Sequence, residues 1–340
     1  MEPQDFLRTA NNFYNSKRLS VTMERIALDS DLINYYASHQ QIENKYKVAF
    51  IFICLNSLYW QYAPEMVSGA RQFFLPGHKT DYLFWTDIPV EGVKEKVINA
   101  WKERGKDVEN TDIIKTIDDI SNAVMDLRKQ KDIILFPTEA TDWPYPTLLR
   151  YNLFLQQEEK LKEYDYIFYC DVDMRFVNVV GDEILGNLTA AQHPMYALKK
   201  EYWPPYEPNE LSASYIKRPG RLIDENGKPR FMPLYFAGGF QGGKTDKYIE
   251  AMKSTEKIIE KDLVQSYIPI WNDESAWNKY LSENPPDVVL TPSYIYPDSL
   301  VEQFYEPLWG QKYQPKLMTL TKWFSTSKEG GEAVAKMLKK

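Results

Sequence analysis

The stretch from Tyr164 to Phe176, YDYIFYCDVDMRF, restricts the fold more than any other part of the chain. An apolar, aromatic, β-rich run stops abruptly at Asp171-Val172-Asp173, and it reads as a buried strand. Side chains of a strand alternate between faces, so Asp171 and Asp173 are expected to point the same way. Two carboxylates aimed together at the end of a buried strand repel unless a cation or protons lie between them. Hard oxygen ligands of this kind suit Mg²⁺ or Mn²⁺, commonly shared with phosphate oxygens. The pattern therefore points to chemistry on a diphosphate-activated substrate. The bland alternative is a surface turn with two solvated acids, because a D-x-D is short and common.

The neighbouring segments alternate in type. Lys47 to Leu55 is a strong buried strand and the first of the main sheet. Tyr59 to Phe74 has helical character, and Asp81 to Asp87 is a second strand ending in an acid. Val93 to Leu127 holds one or two helices, Asp132 to Phe136 is a third strand, and a helix over Thr147 to Lys162 leads into the Asp-Val-Asp strand. This order predicts a mostly parallel sheet with helices on both faces. Ligands of such sheets bind at the C-terminal strand ends, where Asp171 and Asp173 fall. Further on, a strand over Phe231 to Phe236 enters a glycine-rich segment, Ala237 to Gly243. A helix follows over Thr245 to Lys261, another after Ser275, and Val288 to Leu290 is a last strand. Residues 217–230 read as a polar loop, residues 1–46 as a helical extension and residues 329–340 as a Lys-rich tail.

Composition removes several function classes. With 340 residues, 44% hydrophobic and 26% charged, the chain has a globular profile of one large or two moderate domains. Net charge is −7 and the basic block is confined to the tail Lys336 to Lys340, so nucleic acid is not expected as a main partner. No apolar run reaches the length of about 18 residues that a transmembrane helix needs. The polar N-terminus lacks the apolar core of a secretory signal, so a cytoplasmic protein is expected. Two cysteines, Cys54 and Cys170, do not make a disulfide framework. Aromatics reach 14%, and many lie in polar, Pro-containing stretches such as Trp143 to Pro146 and Tyr202 to Tyr206. Rings beside polar groups suit a sugar, whose C–H face stacks while its hydroxyls take hydrogen bonds.

One motif competes. Gly238-x-x-x-x-Gly243-Lys244-Thr245 fits the P-loop pattern, with a strand expected before it and a helix after it. In a P-loop enzyme the loop N–H groups cradle phosphates and Lys244 reaches the outer one. The strand and acid that hold Mg²⁺ in such enzymes usually follow the loop, whereas Asp171 and Asp173 precede it. Close approach of the backbone to a bound sugar is the other use for these glycines. A haloacid-dehalogenase-type phosphatase fits less well, because Met174 follows the D-x-D and strands precede it.

Eight ordered segments together resemble the family 6 glycosyltransferases, which include the histo-blood-group A and B transferases, the alpha-1,3-galactosyltransferases and smaller bacterial enzymes. They are Phe73 to His78 with Trp85-Thr86-Asp87; Trp143-Pro144 with Thr147 to Arg150; Asp171 to Met174; and Gln192 to Tyr196. Ser212 to Ile216, Tyr235 to Gly243, Ile268 to Ser275 with Asn278-Lys279-Tyr280, and Thr291 to Pro297 complete the set. Each is weak alone, but their order is specific, and together they cover roughly residues 47–300.

The resemblance implies a GT-A fold over 47–328, a Rossmann-like α/β architecture with a mostly parallel mixed sheet. It also implies a UDP-sugar donor, a galactoside-containing acceptor and retention of anomeric configuration. Asp171 and Asp173 would hold Mn²⁺, or Mg²⁺ in its place, against the UDP diphosphate, with Val172 beside them in the donor site. Bacterial relatives often carry Asn-x-Asn here and work without metal; this chain keeps both acids, so metal dependence is expected. Glu274 would sit beside the anomeric carbon, as covalent nucleophile or as stabiliser of an oxocarbenium-like ion that also orients the acceptor. Asp273 joins the donor site, although both acids also suit a plain helix start. Arg150 would contact the donor sugar or diphosphate, and Tyr59, Phe52 and Cys54 would lie near the uridine, with core packing the alternative for the strand residues. His193 and Trp271 would bind the acceptor. Lys328, or Lys322, would grip the diphosphate from the C-terminal tail after closure.

Ala237-Gly238-Gly239 matches the donor-selecting triplet. Small residues there leave room for an N-acetyl group, which favours UDP-GalNAc over UDP-galactose; such pocket differences are worth only ~1–3 kcal/mol, so incomplete selectivity is expected. Asn272 departs from the usual His, Pro205 falls where an acceptor-binding Thr is usual, and the 217–230 loop is longer than expected. All three lie toward the acceptor. No membrane anchor like that of animal members is found, so a bacterial or phage-type member is expected, with the basic tail suited to a membrane surface. A sugar-binding module without catalysis is the non-enzymatic alternative; the presence of Asp171, Asp173 and Glu274 together argues against it.

Overall fold

Alternation builds the central strand. In a computed structural model, which describes residues 45–194, 206–217, 222–223, 229–230, 235–298 and 315–320, β1 (Lys47–Cys54) sends Val48, Phe50, Phe52 and Cys54 into one apolar cluster. Ala49 and Ile51 enter a second cluster on the opposite face. Burial on both faces is the signature of a strand covered by helices on each side. After β1 come α1 (Ser57–Trp60), α2 (Tyr62–Phe73), β2 (Lys79–Thr86), α3 (Val93–Glu103), α4 (Thr111–Leu127) and β3 (Ile133–Pro137). Three short helices follow, α5 (Tyr145–Leu148), α6 (Arg150–Leu155) and α7 (Glu158–Leu161), and then β4 (Tyr166–Cys170), β5 (Met174–Phe176) and β6 (Thr189–Gln192). A small hairpin of β7 (Leu222–Ile223) and β8 (Pro229–Arg230) precedes β9 (Phe236–Lys244) and α8 (Thr245–Val264). The described chain closes with α9 (Asn272–Glu283), β10 (Val288–Leu290), β11 (Tyr296–Pro297) and β12 (Leu317–Thr319).

The main sheet has the order β10-β6-β9-β4-β1-β2-β3, with β9 antiparallel to both neighbours and the other pairs parallel. This is the mostly parallel mixed sheet expected. A second sheet, β11-β12-β5, lies after the D-x-D. Apolar residues of α2, α3 and α4, among them Met66, Val67, Val97 and Val124, belong to the first cluster. The second takes Tyr151, Phe154, Tyr248, Met252 and Trp277 from α6, α8 and α9. Phe50 stacks on Phe74 at 4.0 Å and Phe52 on Phe84 at 4.7 Å. Each fully buried ring of this kind contributes about 1.5–3 kcal/mol of transfer free energy.

Two sequence expectations are corrected. The helix expected over 147–162 breaks into three, because Leu149 (φ −98, ψ 11) and Gln157 (φ −114, ψ 27) leave helical geometry and re-aim the chain. The glycine-rich segment is itself a strand and not a loop. Phe168 and Thr189 pair with Gly242 from its two sides, and Ile167 pairs with Gly243. A Cβ on Gly242 would lie 2.4 Å from the Ile167 carbonyl oxygen, and one on Gly243 2.3 Å from that of Asn187. These glycines let neighbouring strands approach, and their backbone is committed to the sheet. No phosphate cradle exists there, so the P-loop reading falls.

Residues 1–44, Lys322, Lys328, the tail 329–340 and most of loop 217–230 lie outside the described residues. Among the described residues no helix is long and apolar enough to cross a membrane.

Candidate active site

β1, β2 and β3 step outward on one side, and β4 returns to the other side of β1. In open α/β sheets the crevice beyond such a reversal is where ligands bind. Asp171 is the first residue past β4. The D-x-D therefore occupies the connection between β4 and β5, so local contacts rather than strand alternation aim its side chains. The Asp171 N–H donates to the Gly239 carbonyl at 3.0 Å, and the Leu320 N–H donates to the Asp173 carbonyl at 3.0 Å. The Tyr169 hydroxyl donates to Asp171 Oδ1 at 2.5 Å. The Asp171 side chain remains 37% exposed, whereas Asp173 is only 9% exposed. Val172 is buried in the core.

Arg150 joins this turn to α9. It opens α6 and is only 4% exposed, so it is not the surface helix charge its sequence context also allowed. Nη1 donates to the Gly238 carbonyl at 2.9 Å and lies 3.8 Å from Asp171 Oδ1. Nε lies 2.9 Å from Asp273 Oδ2, and Nη2 donates to Asp273 Oδ1 at 3.4 Å. The guanidinium covers the Tyr169 ring at 4.5 Å. Burial disfavours the charge, but Asp273, Tyr169 and Asp171 outweigh it and hold Arg150 protonated. Burial pushes the Asp273 carboxyl up, and Arg150 opposes that shift.

Glu274 is half-buried in the first turn of α9, and its Oε2 accepts the Gly238 N–H at 2.7 Å. Burial pushes its pKa up to about 7, against the lowering pull of the Gly238 N–H, Tyr235 and Arg150. Asn278 ties α9 to β9: its Oδ1 accepts the Phe236 N–H, and its Nδ2 donates to the Phe236 and Glu274 carbonyls. Gln241 accepts the Tyr151 hydroxyl and donates to the Gly238 carbonyl, both at 3.0 Å. Ideal Cβ positions on Gly238 and Gly239 fall 3.6 Å from Glu274 Oε2 and 2.7 Å from Asp171 Oδ2 respectively. Small residues are thus needed where the carboxylates converge. Asn272 takes φ 51, in the left-handed region that Asn enters more easily than most side chains.

The structure brings Asp171, Arg150, Gly238, Gly239, Asp273 and Glu274 together, with Asp173 two residues beyond Asp171 and Ala237 buried beside Gly238. Phe52 is packed fully into the core, and Cys54 is buried at the end of β1, so both side chains serve packing. Tyr59 lies half-buried on α1 against the same cluster. The His193 N–H donates to the Tyr235 carbonyl at 2.9 Å, and the two rings meet edge-on at 5.8 Å. Burial lowers its pKa to about 4, so His193 is neutral and suits hydrogen bonding to a hydroxyl. Trp271 precedes α9, and its indole N–H is buried without a hydrogen-bond partner among the described residues. Sequence reasoning missed Tyr169, Gln241, Asn278 and Glu207. The Glu207 carboxylate accepts the Tyr267 hydroxyl at 2.6 Å and the Ile270 N–H at 2.7 Å, just ahead of Trp271. Asn278 and Gln241, each inside a matched segment, carried a sequence signal.

Among the described residues no group of three His, Cys, Asp or Glu forms a metal cage. Asp171 and Asp173 carry hard carboxylate oxygens, and a cation held by them would need its remaining ligands from elsewhere. That donor set suits Mg²⁺ or Mn²⁺ completed by water and substrate phosphate oxygens.

A family model described as Glycosyltransferase family 6 matches residues 27–306. The chain is 28% identical over 235 residues to histo-blood group ABO system transferase 1 of Rattus norvegicus, covering 68% of this chain and 56% of that protein. It is 25% identical over 245 residues to globoside alpha-1,3-N-acetylgalactosaminyltransferase 1 of Homo sapiens, covering 71% and 58% respectively. It is 26% identical over 176 residues to the O-antigen biosynthesis glycosyltransferase WbnI of Escherichia coli, covering 51% and 70%. The chain thus spans little more than half the length of the two animal relatives.

Proposed function

The chain belongs to glycosyltransferase family 6, and from that premise we propose that it transfers GalNAc, or galactose, from a UDP-sugar to a β-galactoside. The linkage formed is alpha-1,3, the anomeric configuration is retained, and the acceptor is fucosylated or plain. The observation that carries this reading is the single network in which Arg150 meets Asp171, Gly238 and Asp273 while Glu274 sits on the Gly238 N–H. A buried cation and several carboxylates, two of them with a pKa near 7, cost stability. Such an arrangement suits a site that must meet a charged substrate.

Asp171 and Asp173 are the residues that would hold Mn²⁺, or Mg²⁺ in its place; when bound, the cation offsets charge on the departing diphosphate. Arg150, fixed by Asp273, adds a preorganised positive charge beside it. Glu274, once ionised, faces positive charge developing at the anomeric carbon. As a nucleophile it would form a glycosyl ester that the acceptor hydroxyl displaces; as an electrostatic partner it would hold the oxocarbenium-like ion while the acceptor enters from the same face. Either route retains configuration. The small triplet Ala237-Gly238-Gly239 and a relative named for N-acetylgalactosamine transfer support GalNAc over galactose. His193 and Trp271 offer a neutral imidazole and an unused indole N–H to the acceptor.

The test mixes the purified protein with UDP-GalNAc, UDP-galactose, UDP-glucose or ATP, in Mn²⁺ or in EDTA, with and without a fucosylated galactoside. Mn²⁺-dependent UDP release from UDP-GalNAc, lost in Glu274→Gln and Asp173→Asn, is expected. Failure to turn over any UDP-sugar would refute the proposal.

A further inference from the structure

We infer that Tyr169 is a positioning residue for the cation site: its hydroxyl fixes the Asp171 carboxylate in the orientation that receives the metal. The inference rests on the metal role proposed above. Tyr169 and Asp171 are two residues apart at the end of β4. The Tyr169 side chain is buried in the cluster formed with Phe154, whose ring lies 5.5 Å away, and Arg150 covers its face at 4.5 Å. The ring is therefore clamped, and its hydroxyl reaches Asp171 Oδ1 at 2.5 Å. Phenylalanine would fill the same space, so packing alone does not account for the hydroxyl.

The Asp171 side chain needs such a restraint. It is 37% exposed, and its competing partner is Arg150 Nη1 at 3.8 Å. A carboxylate released by the phenol would swing toward the guanidinium and close an ion pair that an incoming cation must then break. Partners that orient a metal-ligating carboxylate typically change metal affinity by about 10–100-fold when removed. The phenol thus separates two uses of Asp171, as a ligand and as a counter-ion of Arg150.

The experiment titrates Mn²⁺ by calorimetry into the full chain saturated with UDP, for the wild type, Tyr169→Phe, Asp171→Asn and the double variant. Tyr169→Phe is expected to weaken Mn²⁺ binding roughly 10-fold while UDP affinity in EDTA and the thermal midpoint stay near wild type. The double variant should bind Mn²⁺ no more weakly than Asp171→Asn alone. Mn²⁺ affinity unchanged within about two-fold in Tyr169→Phe, or an equal loss in the Asp171→Asn background, would overturn the inference. A wild type that binds UDP but no Mn²⁺ would overturn the metal reading beneath it, and a wild type that binds neither would refute the donor assignment as well.

Discussion

Replacing Arg150 by Ala strips the partner from a carboxylate that is itself almost fully buried. Asp273 is 3% exposed, and its Oδ2 lies 2.9 Å from Arg150 Nε. Removing one member of such a pair costs roughly 3–5 kcal/mol, because the remaining charge is left uncompensated. The carboxylate has one escape, which is to take up a proton. Its folded pKa is raised by burial above the unfolded value of about 3.9, and losing Arg150 raises it further. A folded state that keeps a proton the unfolded state has released is stabilised at low pH. That stabilisation fades as pH rises through the folded pKa. The loss caused by Arg150→Ala should therefore grow with pH, reaching roughly 3–5 kcal/mol at pH 8. Burial holds the wild-type Asp273 pKa at about 7, so both proteins keep the proton at pH 5 and differ only above that value; about one pH unit at about 1.4 kcal/mol gives a growth of roughly 1 kcal/mol between pH 5 and pH 8. Urea unfolding of the wild type, Arg150→Ala, Asp273→Asn and the double variant at pH 5, 6.5 and 8 measures it. In the Asp273→Asn background the cost of removing Arg150 should vary less with pH, leaving only the smaller share that Arg150 exerts on Glu274. A loss equal at pH 5 and pH 8 to within about 0.5 kcal/mol would refute the reasoning.

Glu274→Gln keeps an acceptor for the Gly238 N–H and so should fold, yet lower kcat by about 10²–10³-fold. Because Glu274 must be ionised to act and its pKa stands at about 7, kcat/KM of the wild type should fall as pH drops through that value; a profile flat down to pH 5 would contradict it. Gly242→Ala places a Cβ 2.4 Å from the Ile167 carbonyl and 2.8 Å from Phe168 Cα, so β4 must move. A loss of about 1–3 kcal/mol is expected in urea melts, and a neutral result would mean that the β4–β9 register is wrong. Gly238→Ala meets Asp273 and Glu274 at an ordinary 3.6 Å and should fold, but it narrows the donor pocket. The ratio of kcat/KM for UDP-GalNAc over UDP-galactose should drop by about 1–3 kcal/mol, and an unmoved ratio would remove Gly238 from donor selection.

Much of the frame was legible before any coordinates. The first three strands and β4 are short, nearly continuous apolar runs, and each forms where the residue pattern puts it, within two residues. The acids at the end of β4, and the pair opening α9, were equally visible, because an acid after an apolar run or at a helix start is a local feature. β9 was misread for the opposite reason. Its glycines carry poor strand propensity, and only the backbones of Ile167 and Asn187 pressing on Gly242 and Gly243 require them. Arg150 gave no sign of burial, since its position within a helical run suits a surface charge and its partner Asp273 lies 123 residues away. The same holds for Tyr169 beside Asp171, whose hydroxyl role depends on the turn that ends β4.

The sequence by itself determined β1 to β4 and β10, the acids that end β4 and open α9, and the family whose ordered motifs it carries. Periodicity and local propensity act over a few residues, and the family is written in motif order. Only the tertiary structure decided that β4 returns beside β1, that β9 enters the sheet antiparallel, and that one buried arginine joins carboxylates from the turn after β4 and from α9. Those choices are set by burial and pairing between distant parts of the chain, where a charge is held inside only because its counter-charges are brought there with it.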